Sequence, residues 1–163
     1  MAAFGSFVAG QVLTAAELNA AGAWQDYTPS WTQSATISKT VNWARYTQLN
    51  KLVIGNVKMT ATSGGTVNNN VVVGLPVAAS SNQLILGTAH FYNDSEANKY
   101  SFAIPLTVFY NTSTTATFSA RRTGLDAQTF GGDLRLGVDV AGSGGIAVAS
   151  GDIVWIQFMY EAA

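Results

Sequence analysis

The stretch Leu52–Thr62, LVIGNVKMTAT, decides the fold class of this 163-residue chain. Successive side chains of a β-strand point to opposite faces of the sheet. One face of this stretch carries only apolar or small residues, namely Val53, Gly55, Val57, Met59 and Ala61. The other face begins with Leu52 and Ile54 and becomes polar toward Thr60. This alternation predicts a strand that is buried on one face and partly exposed on the other.

The chain after Tyr27 repeats the strand pattern in shorter runs. These runs are rich in Thr, Val, Ile and aromatic residues, and Gly, Asn and Ser clusters separate them at intervals of about ten residues, which predicts an all-β sandwich or barrel. The predicted strands are Tyr27–Gln33, Val41–Gln48, Leu52–Thr62, Asn70–Gly74, Leu84–Tyr92, Tyr100–Tyr110, Thr115–Arg121, Leu134–Val138 and Ile153–Tyr160. The last strand is apolar on both faces, which favours a subunit interface for at least part of it.

The segment before Tyr27 contains one helix signal. Thr14 and Glu17 have the spacing of a capping box, and Leu13 and Leu18 have the spacing of a hydrophobic staple. Gly22 is a suitable C-terminal stop. We predict a helix of about two turns, which is too short to be stable without docking on another surface. The chain is therefore divided into an N-terminal anchoring arm, residues 1–23, and a β domain, residues 24–163.

The composition predicts a chain that works inside an assembly. Only 10% of the residues are charged and 48% are hydrophobic, whereas ordinary soluble domains carry about 25% charged residues. No segment reaches the roughly 20 apolar residues of a membrane-spanning helix, so we expect no membrane insertion. A surface so poor in charge will show apolar patches, and such patches usually mark partner surfaces. We therefore favour a structural or binding role over catalysis.

The charge of the chain argues against a nucleic-acid partner, and its first residues argue against a secretory signal. A formal net charge of -1 and scattered basic residues provide no attraction for phosphate backbones, so nucleic acid is not an expected partner. The first residues lack the basic region and the sustained apolar core of a secretory signal.

The search for chemistry finds no specific catalytic or metal-binding motif. The absence of cysteine excludes disulfides and thiolate metal sites. His90 is the only histidine and has no carboxylate close in sequence, so we interpret it as a surface or interface residue and expect no metal and no cofactor. Asp94 and Glu96 have the character of a solvated loop, which we favour over a calcium site or a glycosidase pair. The residues predicted to lie in exposed loops are Asn93, Asp94, Glu96, Asn98 and Ser143.

The four tryptophans, Trp24, Trp31, Trp43 and Trp155, have two possible roles. Exposed indole rings stack on sugars, so a glycan-binding surface is one alternative. Packing in the core or at a subunit interface is the alternative that we favour, because Trp24 and Trp31 surround the start of the first strand and Trp155 lies in the most apolar one. The residues predicted to make anchoring or intersubunit contacts are Leu13, Leu18, Trp24, Trp31, Trp155 and Phe158.

Several stretches resemble a family of small bacteriophage virion proteins of the tail-fibre, minor tail or receptor-binding type. The resemblance rests on FVAGQVLTAAELN at Phe7–Asn19, WQDYTPSWT at Trp24–Thr32, ARYTQLNKLV at Ala44–Val53, VGLP at Val73–Pro76 and the closing Gly151–Ala162. Asn50 stands where the family pattern has glycine, which is compatible with a turn residue at positive φ.

The resemblance implies an antiparallel β-sandwich, jelly-roll-like and trimeric, without catalytic residues. It implies a structural and adhesive virion subunit, such as a tail fibre, spike or receptor-binding component. The arm would then contact other virion proteins, and a host-surface glycan is a candidate ligand. A capsid decoration or head-fibre protein is the alternative, and a glycan-degrading enzyme is a remote one.

Overall fold

The computed structural model describes residues 22–66, 69–92, 103–120, 134–135 and 147–163, together with Val12 and Thr14. Within these residues the chain is all-β and antiparallel, as predicted. The strands are β1 (Gln25–Asp26), β2 (Trp31–Gln33), β3 (Ala35–Thr36), β4 (Lys39–Leu49), β5 (Leu52–Ala61), β6 (Val72–Gly74), β7 (Ile85–Tyr92), β8 (Ala103–Thr112), β9 (Thr115–Ala120), β10 (Leu134–Arg135) and β11 (Ile153–Glu161). The predicted two-turn helix lies outside the described residues, apart from Thr14. The described ranges contain no helix that is long and apolar enough to cross a membrane.

All the described strands belong to one curled sheet with the order β1-β4-β5-β11-β7-β8-β9-β6-β2-β3, and β10 pairs with β9. The spacing of the strands predicted a sandwich or a barrel, and the family resemblance implied a jelly-roll-like sandwich. The described strands form a single curled sheet, and a sandwich is not confirmed. The sheet curls because β-bulges interrupt β4, β7 and β8, and a bulge bends and twists its strand. The result resembles half of a barrel.

A short connection holds the two ends of the strand order close together. β3 is the last strand in the order and β4 is the second, yet only Ile37 and Ser38 lie between them. Three residue steps span at most about 11 Å. The peptide nitrogen of Thr62 donates to the Ser38 carbonyl at 2.7 Å. The chain itself therefore keeps the sheet curled around its inner face.

The inner face forms the core of the domain. The alternation predicted for Leu52–Thr62 is confirmed, because every second residue of β5 from Val53 to Ala61 is buried. β11 follows the same rule, with Val154, Ile156, Phe158 and Tyr160 buried. The outward residues of both strands are partly or well exposed. β11, whose sequence is apolar on both faces, thus has one face in the core and one face toward solvent.

Asn50 connects β4 to β5 and has the positive φ (53°) that the sequence predicted for this turn. The predicted first strand, Tyr27–Gln33, is shorter than expected and begins at Trp31. Pro29 has no N–H to donate to a neighbouring strand, which explains the interruption. Tyr27 still donates its peptide N–H to the Ala44 carbonyl at 3.0 Å.

Aromatic rings in the core stack around a glycine in β5. A Cβ built on Gly55 would overlap the ring of Phe158 and the Arg45 carbonyl oxygen. Tyr27 packs edge-on against both Tyr46 and Phe158, with ring centroids 5.7 and 6.4 Å apart. The missing side chain at Gly55 therefore provides the space that this aromatic cluster occupies.

Replacing Gly55 with alanine tests this packing. We expect Gly55→Ala to lower the free energy of unfolding by about 1–3 kcal/mol, because the ring or the backbone must move. Gly64→Ala is the matched control, since its Cβ would meet only the Val148 carbonyl oxygen at 3.5 Å. Urea unfolding of both variants measures the difference. Equal stability of the two variants would contradict the packing described for Phe158.

Two buried phenols in this region predict how the fold responds to alkaline pH. Burial raises the pKa of Tyr27 well above its usual value, and the nearby Tyr160 phenol raises it further. Burial also raises the pKa of Tyr160, against a smaller lowering by the backbone of Val77. A pKa that is higher in the folded state means that the protonated phenol stabilises the fold fully below pH ~10 and that this stability is lost as pH rises above it.

The two phenols differ in hydrogen bonding, and phenylalanine variants separate them. The Tyr160 hydroxyl donates to the Val77 carbonyl at 2.7 Å, whereas the buried Tyr27 hydroxyl has no hydrogen-bond partner among the described residues. We expect Tyr160→Phe to cost about 1 kcal/mol at neutral pH. Tyr27→Phe should leave neutral stability unchanged or raised and should shift alkaline unfolding to higher pH. Urea unfolding at pH 7 and at about pH 11 checks both, and the reverse ranking would refute the assignment.

Candidate functional site

The outward face of the four strands β4, β5, β11 and β7 carries an ordered row of side chains. Register pairs Trp43 with Lys58, Lys58 with Trp155, and Trp155 with His90. Directly opposed residues on neighbouring strands have Cβ atoms about 4.5–5.5 Å apart. These four residues, far apart in sequence, therefore form one continuous line across the sheet, which we call the aromatic row.

A second line, the polar row, runs beside the aromatic row on the same face. Arg45 pairs with Asn56, Asn56 with Gln157, and Gln157 with Thr88. Each residue lies two positions along its own strand from a member of the aromatic row, so both sets point outward. The face thus places indole rings next to amide, hydroxyl and guanidinium groups.

All members of the two rows except Lys58 line an open groove of about 900 Å³, which we call the outer groove, and the Lys58 ammonium lies beside it against two of the lining tryptophans. The lining also includes Trp24, which precedes β1, and Tyr92 at the end of β7. Trp24 is held at this position because the next two residues, Gln25 and Asp26, pair with Tyr46 and Arg45 at the edge of β4. A second, smaller depression continues the groove past Trp24 toward Met159.

A cation holds the aromatic row together at the rim of the groove. The Lys58 ammonium lies 5.2 Å from the Trp43 ring centroid and 4.8 Å from that of Trp155. The two indole centroids are 6.2 Å apart, and the Tyr92 ring lies 5.9 Å from Trp155. Cation–π contacts at exposed sites contribute about 0.5–1 kcal/mol each. These ring contacts restrain the Lys58 side chain, and no ion pair to a described acidic residue contributes to that restraint.

The described lining of the groove contains one cationic side chain, Arg45. Arg45 lies in the lining, and its Nε makes an ion pair with the Asp26 carboxylate at 3.2 Å. Both side chains of that pair are mostly exposed, so the pair is weak and a ligand can compete for Arg45. The lining residues that the structure describes include no carboxylate. No cluster of three or more His, Asp or Glu side chains occurs in the described ranges.

The other end of the same sheet face is apolar. Leu49 pairs with Leu52, and Gln83, the residue before Leu84, hydrogen bonds to the Glu161 backbone. This places the start of β7 beside the end of β11. The exposed apolar residues here, which we call the apolar end, are Leu49, Leu52, Leu84, Ile85 and Met159. Leu84 and Met159 are 68% and 63% exposed, which is unusual for side chains of their size.

The residues predicted to make anchoring or intersubunit contacts differ in their burial in the structure. Trp31 and Phe158 are buried in the chain's own core, so their side chains do not form a contact surface. Trp24 and Trp155 are 47% and 41% exposed and lie in the outer groove. Leu13 and Leu18 lie outside the described residues. The predicted exposed loop residues Asn93, Asp94, Glu96, Asn98 and Ser143 also lie outside them.

Sequence reasoning missed the way that the outer groove is assembled. Core or interface packing was favoured for all four tryptophans, and Trp43 is 44% exposed beside Trp155, outside the core. Lys58 and Asn56 were recognised only as the polar side of one strand, and His90 only as a surface or interface residue. Alternation along β5 and β11 does show that Lys58 and Trp155 point outward. The neighbours of each strand and their register are long-range properties, and no local signal in the sequence contains them.

Comparisons of the chain with protein-family models, with curated proteins and with solved structures find no match.

Substitution of the tryptophans distinguishes the outer groove from the core. We expect Trp31→Ala to cost about 3–5 kcal/mol in free energy of unfolding, because a fully buried ring leaves a cavity. Trp43→Ala should cost about 1 kcal/mol or less, since it removes a half-exposed ring and one cation–π contact. Urea unfolding gives both values. A loss at Trp43 as large as that at Trp31 would show that the aromatic row is part of the core.

Proposed function

We propose that this chain is a non-enzymatic structural and adhesive subunit of a bacteriophage virion, of the tail-fibre, spike or receptor-binding type. The observation that carries the proposal is the outward face of β4, β5, β11 and β7, which combines a stacked aromatic and polar groove with an apolar end. A chain that presents both a ligand-type groove and an uncovered apolar surface is suited to binding within an assembly. The family resemblance of the arm and of the Trp24–Thr32 segment supports a virion as that assembly.

The apolar end supports self-association. Large apolar side chains cluster in the core of homo-oligomer interfaces, where charged residues are depleted. The apolar end contains five such side chains next to a single ion pair, Lys51 to Glu161 at 3.7 Å. A homotrimer, as the resemblance implies, would cover this end in each subunit and leave the outer groove open. The arm, residues 1–23, would then contact other virion proteins through Leu13 and Leu18.

Two alternatives remain distinguishable from the proposal. A capsid decoration or head-fibre protein would use the same fold at a different position and copy number on the particle. A glycan-degrading enzyme would need two carboxyl groups facing the sugar, and the described lining of the outer groove supplies amides, hydroxyls and cations instead. If the enzyme reading were right, Asp94→Ala or Glu96→Ala would abolish turnover of a bound glycan.

The mass of the purified protein in solution tests the assembly part of the proposal. We expect light scattering with size-exclusion chromatography to give three times the mass of the 163-residue chain. Met159→Lys should shift the protein toward monomer, because it places a charge in the apolar end. Thr36→Lys, on the exposed strand β3, is the matched control and should leave the mass unchanged. A monomeric wild-type protein would contradict the proposed trimer.

Localisation tests the virion part of the proposal. Purified particles of the phage that encodes the chain should contain it, and antibody labelling in the electron microscope should place it on the tail. Labelling over the head would select the decoration or head-fibre alternative. Absence of the chain from purified particles would refute the virion assignment altogether.

A further inference from the structure

We infer that the outer groove binds an acidic saccharide, with the aromatic row stacking on sugar rings and Arg45 and Lys58 contacting the anionic group. The inference rests on the proposed adhesive function and specifies its ligand.

The aromatic row offers faces of the kind that sugars use. The apolar C–H face of a pyranose packs against the flat electron-rich face of an indole or phenol ring. Trp43, Trp155 and Tyr92 form a continuous series with centroid distances of 6.2 and 5.9 Å, and their rings are tilted by 48° and 50°. Trp24, 47% exposed, also lines the groove. The groove thus offers several aromatic rings to a bound chain of sugars.

The polar row supplies the complementary hydrogen bonding. Sugar hydroxyls both donate and accept, so they suit amides and hydroxyls, which do the same. Asn56, Gln157 and Thr88 stand on three neighbouring strands, at the spacing of directly opposed residues. Because they stand on paired central strands, the sheet fixes the backbone positions from which these side chains reach a ligand. This arrangement distinguishes the groove from a purely apolar docking surface.

The charges favour an anionic sugar over a neutral one. Arg45 and Lys58 stand on adjacent strands as diagonal neighbours, a relation that places side chains about 7–8 Å apart. The ring contacts of Lys58 already restrain its ammonium, at 5.2 and 4.8 Å from the two indoles. The described lining contains no carboxylate to repel an anion. A carboxylate or sulfate on the sugar can therefore replace Asp26 as the partner of Arg45.

Other occupants fit the groove less well. Single-stranded nucleic acid also stacks on aromatic rings, but it needs a basic path along its backbone. The described lining has one cationic side chain, Arg45, with Lys58 beside it, in a chain of net charge -1. A second copy of the chain would find apolar partners at the apolar end and a polar row here. The saccharide is the ligand that uses the rings, the amides and the cations together.

The test is binding of the full-length protein to an array that pairs acidic oligosaccharides, carboxylated or sulfated, with their neutral counterparts. We expect retention of one or more acidic members over the neutral ones, and weaker retention when salt is raised from about 0.05 to about 0.5 M. The carboxylated and sulfated arms identify which anionic group is bound. A short oligothymidylate is included as a competing probe.

Variants assign the binding to the groove. Lys58→Met should weaken binding of the acidic oligosaccharide by about tenfold or more, and Trp155→Leu should abolish it. Lys51→Met is the matched control, because Lys51 is an exposed lysine at the apolar end, and it should bind as the wild type does. Urea unfolding of each variant shows that it is folded. Direct titration calorimetry with the best array member gives the affinities.

The outcomes of the saccharide-binding test can be distinguished from those of the mass and localisation tests of the proposed function. Equal binding of acidic and neutral sugars, equal effects of Lys58→Met and Lys51→Met, retention of the oligothymidylate alone, or no retention at all would each overturn the inference. None of these results would remove the chain from the particle or change its mass in solution. Conversely, acidic-sugar binding by a chain that is absent from particles would refute the virion assignment and leave the saccharide site standing.

Discussion

The pairing of β5 with β11 is the interaction on which the rest of the structure depends. The two strands are aligned from Ile153 opposite Thr60 to Glu161 opposite Leu52 without a bulge. Because side chains alternate with a period of two, this register sends Val57 and Phe158 into the core and Lys58 and Gln157 to the outside. A slip of one residue in either strand would reverse that assignment. The core and the outer groove are therefore two consequences of a single alignment.

The curl of the sheet provides an inner face on which a chain with many apolar and few charged residues can form its core. One sheet that curls around its inner face buries the apolar residues of that face. The outer face can then carry large side chains for purposes other than stability, and it does so at both ends, with aromatic rings at one and aliphatic chains at the other. Lys58 is an example of such a side chain, since its ammonium lies over two indole rings on the outer face. Under the proposed function, this exposed surface is the part of the chain that ligands and partners would contact.

Prediction from the sequence succeeded where the signal is local. Alternation identified β5 with its buried face, and the Asn50 turn and most strand positions followed from periodicity and turn residues. It failed where the answer depends on distant contacts. The sandwich that the family resemblance implied is not confirmed, because the two-residue link at Ile37 and Ser38 ties the described strands into one curled sheet. No local pattern in the sequence distinguishes Trp31 from Trp43, yet Trp31 is fully buried and Trp43 is 44% exposed. Which face each ring meets is determined by the pairing partners of its strand.

By itself, the sequence predicted the all-β class that the described residues show, and it determined that the chain lacks the cysteines for disulfides or thiolate metal sites and that its surface must be poor in charge. These are properties of composition and of periodicity along a few residues, and they need no knowledge of which strands are neighbours. Only the tertiary structure decided that Trp43, Lys58, Trp155 and His90 form one row and that Arg45, Asn56, Gln157 and Thr88 form the next. The reason is physical: cross-strand neighbours are chosen by sheet order and register, which arise from burying all the inward faces at once.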